Sequence, residues 1–188
     1  YIIVGFLILL ALIPLVYFFV LNDVQKQRIL VFLNPELEPL GSGYNAIQSK
    51  IAVGSGMLFG TGLLKGTQTQ YGYLPVKTSD FIFSVISEEM GFIISALIVI
   101  IYTVLLVRIV NVSRTARDTY GSLVTIGIFG MIFFHFIENI GMTMGLLPIT
   151  GIPLPFVSYG GSNLLTNFVA IGIVLSVSAR RQRTFFVD

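Results

Sequence analysis

The sequence has no cysteine, one histidine and little charge, and each shortage removes a class of explanation. Without cysteine, no disulfide staples the loops and no thiolate binds a metal, whichever compartment those loops face. A single histidine, with no His-Glu-x-x-His arrangement around it, supplies too few ligands for a metalloenzyme centre. Only 11% of the 188 residues are charged, and the net charge of +2 is too small and scattered to suggest nucleic acid. The first residues lack both a basic segment and a small-residue cleavage site, which argues against a signal peptide. There is no initiator methionine either, so the expectation is the C-terminal part of a longer chain. What the sequence has in abundance is apolar: 55% of its residues are hydrophobic, outside the range of a soluble domain. The expected fold class is therefore all-α, a polytopic integral membrane protein.

Residues 1–21 carry no charge and, at about 1.5 Å per residue, reach about 30 Å, enough to cross the hydrocarbon core, with Pro14 as a kink. Further crossings are expected near 81–110, 121–144 and 163–179, four in all. Residues 22–80 are far more polar and read as a large loop with short helices of its own. One, over 24–33, is capped by Asp23 and stopped by Pro35. Another, over 44–53, is amphipathic, with Ile47 and Ile51 on one face. Residues 54–66 are glycine-rich, but no Gly-Lys-Ser/Thr follows at the right spacing and no strand precedes them. They read as a flexible surface loop rather than a phosphate-binding one. Residues 147–163 contain three prolines and three glycines, which forbid a continuous helix, yet remain largely apolar. Such a segment folds back into the protein as a re-entrant or interfacial loop, within the expected connection 145–162, because irregular backbone at membrane depth needs protein or a cavity around it.

Arginines set the expected orientation. Arg108, Arg114 and Arg117 fall in the connector 108–120, and Arg180, Arg181 and Arg183 in the tail 180–188. Four crossings put both on one side, cytoplasmic by the positive-inside rule, and leave 22–80 and 145–162 outside.

Asp80 opens the second crossing. On a helix starting there, Asp80, Ser84, Ser87, Glu88, Gly91 and Ser95 form one polar or small stripe at offsets of three and four. That stripe has to face protein, a water-filled cavity or a substrate head group. Asp80 is either a helix cap, a reactive group, or both. Within the third crossing, His135, Glu138 and Asn139 share a face, and an inter-helix hydrogen-bonded cluster explains them better than a metal site. Gly141 and Gly145 have the spacing that lets two membrane helices approach closely. The Ser158, Tyr159, Gly160, Gly161, Ser162 tip offers hydroxyls and approachable N–H groups at a helix start able to receive an anion.

Several stretches together, the run from Gly43 to Gly56, Gly66-Thr67-Gln68, Leu74-Pro75 with Ser79-Asp80-Phe81-Ile82-Phe83, Glu88-Glu89 before Gly91, and Pro153 to Ser162, resemble the SEDS family of shape, elongation, division and sporulation proteins. The resemblance covers nearly the whole chain. It implies about ten membrane helices, of which this chain supplies the last four, with the large outer loop between the seventh and eighth. It also implies a peptidoglycan glycosyltransferase acting on lipid II, a disaccharide-peptide on undecaprenyl diphosphate, with a class B penicillin-binding protein and membrane lipid as partners and no nucleic acid. In that family the acid at the position of Asp80 is catalytic. Val76 and Met57 depart from the family's usual Glu and Gly.

The chemistry is consistent with one base: a sugar hydroxyl attacks an anomeric carbon whose diphosphate leaving group needs no protein acid. On one straight helix Asp80 and Glu88 lie about 12 Å apart, too far for the two-carboxylate hydrolase scheme. The departing charge is open to Lys50, Lys77, the N–H groups around Gly160 and Gly161, or a divalent cation held partly by carboxylates. No cofactor beyond that cation is suggested. Gln48, Glu88, Ser158, Tyr159 and Ser162 complete the candidate substrate contacts. A flippase for the same lipid and a non-catalytic scaffold are the competing readings.

Overall fold

The computed structural model describes residues 19, 21–38, 41–74, 76 and 78–180. The expected first crossing lies almost wholly outside these, as do Lys77, Arg181 and Arg183. Among the described residues all regular structure is helical: α1 (Asp23–Leu33), a 3₁₀ turn (Pro35–Leu37), α2 (Ser42–Ser55), α3 (Thr67–Gln70), α4 (Ile82–Arg114), α5 (Thr119–Met144) and α6 (Gly161–Ala179). Of these, α4, α5 and α6 are long and apolar enough to cross a membrane.

α4 and α5 form an antiparallel pair joined by residues 115–118, where Asp118 caps α5 by accepting the Gly121 N–H at 3.0 Å. Their seam is apolar. Tyr102 stacks on Phe136 with centroids 4.8 Å apart, and Leu106, Ile109 and Ile132 complete the layer with Val174 of α6. Leu154, from the loop between α5 and α6, is fully buried in the same cluster. The proline-rich segment thus folds back into the bundle, and burying one leucine contributes roughly 1.5–3 kcal/mol to holding it there.

α1 begins one residue earlier than expected. Asn22 is its N-cap, its N–H donating to the Gln25 side chain at 3.0 Å, and the helix ends before Pro35. α2 turns its small face inward: Ser49 and Ala52 are buried where the helix packs on α4 and α5, and Gly43 lies against the 35–38 turn, while Ile47 and Ile51 stay exposed. Small residues allow the close approach, and the Ser49 hydroxyl uses it, pairing with the Ser84 hydroxyl and donating to the Thr143 carbonyl, each at 2.7 Å. The glycine pair in α5 works differently from the helix-pairing motif expected. Gly145 is the left-handed C-cap (φ 69°), and Leu146 N–H returns to the Gly141 carbonyl at 2.7 Å.

The main departure from regularity is in α4. Its 33 residues are broken at Gly91, whose φ of 78° and ψ of −175° are far from helical. The break frees backbone groups that the loop after α2 takes up. Thr61 N–H and Gly62 N–H donate to the carbonyls of Glu88 and Glu89, at 2.9 and 3.0 Å; Phe92 N–H and Ile93 N–H donate to the carbonyls of Met57 and Leu58, at 2.8 and 3.3 Å. So residues 54–66, expected as a free surface loop, are backbone-paired with a membrane helix. A broken helix survives at membrane depth only when its freed groups are satisfied in this way.

Candidate functional site

The polar stripe predicted on α4 is present and faces protein. Ser84, Ser87, Glu88, Gly91 and Ser95 are all buried. Glu88 sits at the end of α3, its carboxylate accepting the N–H of Gln68 at 2.8 Å, the N–H of Thr69 at 3.0 Å and the Thr69 hydroxyl at 2.6 Å. Its lone pairs are largely taken by backbone donors, an arrangement that fixes a turn.

Asp80 has a different environment. α4 starts at Ile82 with Phe81 as its cap residue, and among the described residues the Asp80 carboxylate takes its hydrogen bond from a side chain rather than from helix N–H groups. It accepts the Ser79 hydroxyl at 2.8 Å and is only half-buried. Its backbone, in contrast, is tied down. The fully buried Asn139 of α5 donates to the carbonyls of both Asp80 and Ile152 at 2.8 Å. Ser158 donates to the Ser79 carbonyl at 2.6 Å while accepting Leu154 N–H at 2.7 Å, and Tyr159 N–H donates to the Thr78 carbonyl at 2.9 Å.

The α5–α6 loop is in turn fixed from three helices. Arg28 of α1 donates to the carbonyls of Ile149 and Thr150, at 2.9 and 3.0 Å; Thr150 donates to Glu138 of α5 at 2.9 Å; and the Tyr102 hydroxyl of α4 donates to the Pro155 carbonyl. Gly151 (φ 76°) brings this loop against the acid: a β-carbon there would lie 3.2 Å from an Asp80 carboxylate oxygen. The result is an immobilised turn presenting one carboxylate at the rim of the bundle.

The other predicted residues separate around this centre. Ser158 is buried and structural, Tyr159 joins through its backbone with its ring exposed, and Gly160, Gly161 and Ser162 form the open start of α6. Lys50 is exposed on α2 and lies over Gly145, while Gln48 is half-buried on the same helix. Glu138 and Asn139 bond to the α5–α6 loop and to Asp80 rather than to each other, and the buried His135 Nδ1 has no hydrogen-bond partner among the described residues. Among the described residues no group of three or more His, Asp or Glu is placed to hold a metal. The Glu88 oxygens are taken by residues 67–69, so a divalent cation at this turn would be held through Asp80. Arg28 and Gly151 are not singled out by the sequence pattern, and Ser79 enters it only as part of the motif at 79–83. Gly151 left one signal, a lone glycine among prolines.

Removing the Asn139 amide leaves two carbonyls without their donor, at roughly 1–3 kcal/mol each. In the full-length chain, Asn139→Leu is expected to speed amide exchange across 150–158 by one to two orders of magnitude. Unchanged exchange there would show that Asn139 does not hold the turn.

These features define a multi-pass helical membrane protein in which a folded-back loop is locked against an acidic helix entrance. Residues 1–183 match the model of the FtsW/RodA/SpoVE family, described as cell cycle proteins, and the chain belongs to that family. It is a multi-pass protein of the cytoplasmic membrane. It is 46% identical over 162 residues to peptidoglycan glycosyltransferase RodA of Treponema pallidum, an alignment covering 86% of this chain and 37% of that protein. It is 42% identical over 179 residues to peptidoglycan glycosyltransferase MrdB of Escherichia coli, covering 95% and 48%. The chain thus spans less than half the length of these relatives. Among solved structures it resembles a chain of a peptidoglycan synthase complex that coordinates polymerization and crosslinking, with a TM-score of 0.76, 29% identity and coverage of 96% and 49%.

Proposed function

We propose that the protein containing this chain polymerises lipid II into glycan strands at the outer face of the membrane, with Asp80 as general base. The observation that carries this is the Asp80 turn: a half-buried carboxylate held through its backbone by α5 and the α5–α6 loop, in a chain whose relatives are named peptidoglycan glycosyltransferases. In the reaction a sugar hydroxyl gives its proton to Asp80 as its oxygen bonds to the anomeric carbon, and the bond from that carbon to the lipid diphosphate breaks. One base suffices because the diphosphate leaves without a protein acid. Glu88, with its oxygens engaged by residues 68–69, supports a one-carboxylate transfer over a paired-carboxylate hydrolysis.

The orientation in this reading follows from Arg108, Arg114 and Arg117, near the α4–α5 connector, and Arg180, just past α6. Both lie at the end of the bundle opposite Asp80, and the positive-inside rule makes that end cytoplasmic. Departing negative charge is met by Lys50, Lys77, the N–H groups opening α6 or a divalent cation. A class B penicillin-binding protein is the partner in this reading.

A second reading, movement of the same lipid across the bilayer, draws on the folded-back segment 147–163 and on the intramembrane His135, Glu138 and Asn139, of which His135 Nδ1 has no partner among the described residues; transporters use such features within the membrane. Full-length protein in liposomes with lipid II separates the two. Glycan strands are the expected product, and lipid translocation without polymer would reject polymerisation in favour of transport.

A further inference from the structure

Residues 57–64 combine two properties that conflict for a loop in water. Their backbone is fixed by the four bonds across the α4 break, and Gly56 and Gly60 allow an approach that a β-carbon at either position would block by striking the Ser87 or Glu89 carbonyl. Their apolar side chains, however, pack on little. Met57 and Phe59 are each 80% exposed and Leu64 is 77% exposed, with Leu58 and Leu63 exposed beside them. No acidic residue occurs between 54 and 66, and the one charge there, Lys65, follows the apolar run. Met57 (φ 50°) and Leu64 (φ 58°) both hold left-handed backbone, a conformation uncommon for residues of this size. The run is therefore bounded by two unfavourable turns and stays rigid in between.

Its height along the bundle is set by its bonding partners. Counting back from Val107, the last residue before Arg108, 20 residues reach about 30 Å, the thickness of a bilayer's hydrocarbon core, and end at Glu88. The 88–93 break therefore lies at one boundary of that core, where Phe92 and Ile93 are exposed as well. An apolar furrow between α2, α4 and α5, lined by Val53, Met57, Phe92, Ala96, Val99 and Ile140, opens beside the loop. An apolar surface at this level, continuous with the exposed apolar side of α4 at Phe92 and Ile93 and edged by a lysine, has the composition of an interfacial anchor.

We infer that residues 57–64 insert into the boundary between head groups and acyl chains, with the bilayer itself as the partner that Met57, Leu58, Phe59, Leu63 and Leu64 bind. Clamped to α4 at Gly91, the loop fixes the height of that helix, and of the Asp80 turn about three helical turns before it, relative to the membrane surface. This assignment stands apart from the catalytic reading and holds whether or not Asp80 is a base.

The test is the environment of position 59 in full-length protein, free of other cysteines, in phospholipid nanodiscs. A nitroxide at Phe59→Cys is expected to collide several-fold faster with oxygen, which partitions into lipid, than with a water-soluble nickel chelate. A second site, Leu63→Cys, should behave alike, and Gln70→Cys, exposed on neighbouring α3, should show the reverse preference. Faster collision with nickel at positions 59 and 63 would place the loop in water. Slow collision with both probes would mean that protein covers it. Either outcome overturns the inference.

Discussion

Asp80→Asn in the full-length protein is expected to lower the rate of glycan-strand synthesis by about 10²–10⁴, the usual contribution of a positioned base, while leaving lipid II binding nearly intact. The substitution is mild for the fold. The amide oxygen still accepts the Ser79 hydroxyl, and the ties through Asn139, Ser158 and Tyr159 run to the backbone of residues 78–80, not to the carboxylate. Asp80→Glu keeps the acid but moves it one methylene outward, and a displacement of about 1 Å costs on the order of 10²-fold in a positioned site. Both variants should melt within about 1 kcal/mol of the parent. Polymer formed at an undiminished rate by Asp80→Asn would reject the proposed base.

The largest effect on stability is expected at Gly91. Its φ/ψ combination is open essentially to glycine alone and costs other residues on the order of 1–3 kcal/mol. A β-carbon there would also strike the Gly60 backbone nitrogen and lie 2.6 Å from the Leu58 carbonyl oxygen. Relieving that clash separates the 57–62 loop from α4 and strands the carbonyls of Glu88 and Glu89 and the N–H groups of Phe92 and Ile93, each at roughly 1–3 kcal/mol when desolvated. Gly91→Ala should therefore lose about 4 kcal/mol or more, visible as a strongly reduced yield of folded full-length protein and a lower melting temperature in detergent. Gly127→Ala, where a β-carbon meets nothing within 4 Å, is the comparison and should stay within about 1 kcal/mol. Equal melting of the two variants would mean that the break is not held as described.

Much of this was legible along the chain because it depends on neighbours in sequence. The stripe from Ser84 to Ser95 was readable from its spacing, and the return of residues 147–163 into the bundle from proline and glycine among apolar residues. Local pattern failed where a partner lies far away. Residues 54–66 look like a free loop because nothing within them announces that their carbonyls and N–H groups answer a break some 30 residues later. Ile47 and Ile51 mark α2 as amphipathic without saying which face meets protein; the contact with α4 and α5 is made through Ser49 and Ala52, small enough to let the helix come within bonding distance of a serine. The His135, Glu138 and Asn139 set was recognised as polar and deep, yet its bonds run to residues 80, 150 and 152, which a helical wheel does not display.

By itself, the sequence determined where the chain runs as apolar helix and where it cannot, since hydropathy and helix-breaking are summed over adjacent residues. Only the tertiary structure decided which acid is left free. Asp80 and Glu88 stand eight residues apart at the entrance of one helix, and residue type and spacing do not separate them; in the sequence only the family resemblance singles out Asp80. The 67–69 turn encloses the carboxylate of Glu88, whereas α5 and the α5–α6 loop take hold of Asp80 by its backbone and leave its side chain half open. Hydrogen bonds made across long separations in the chain make that choice.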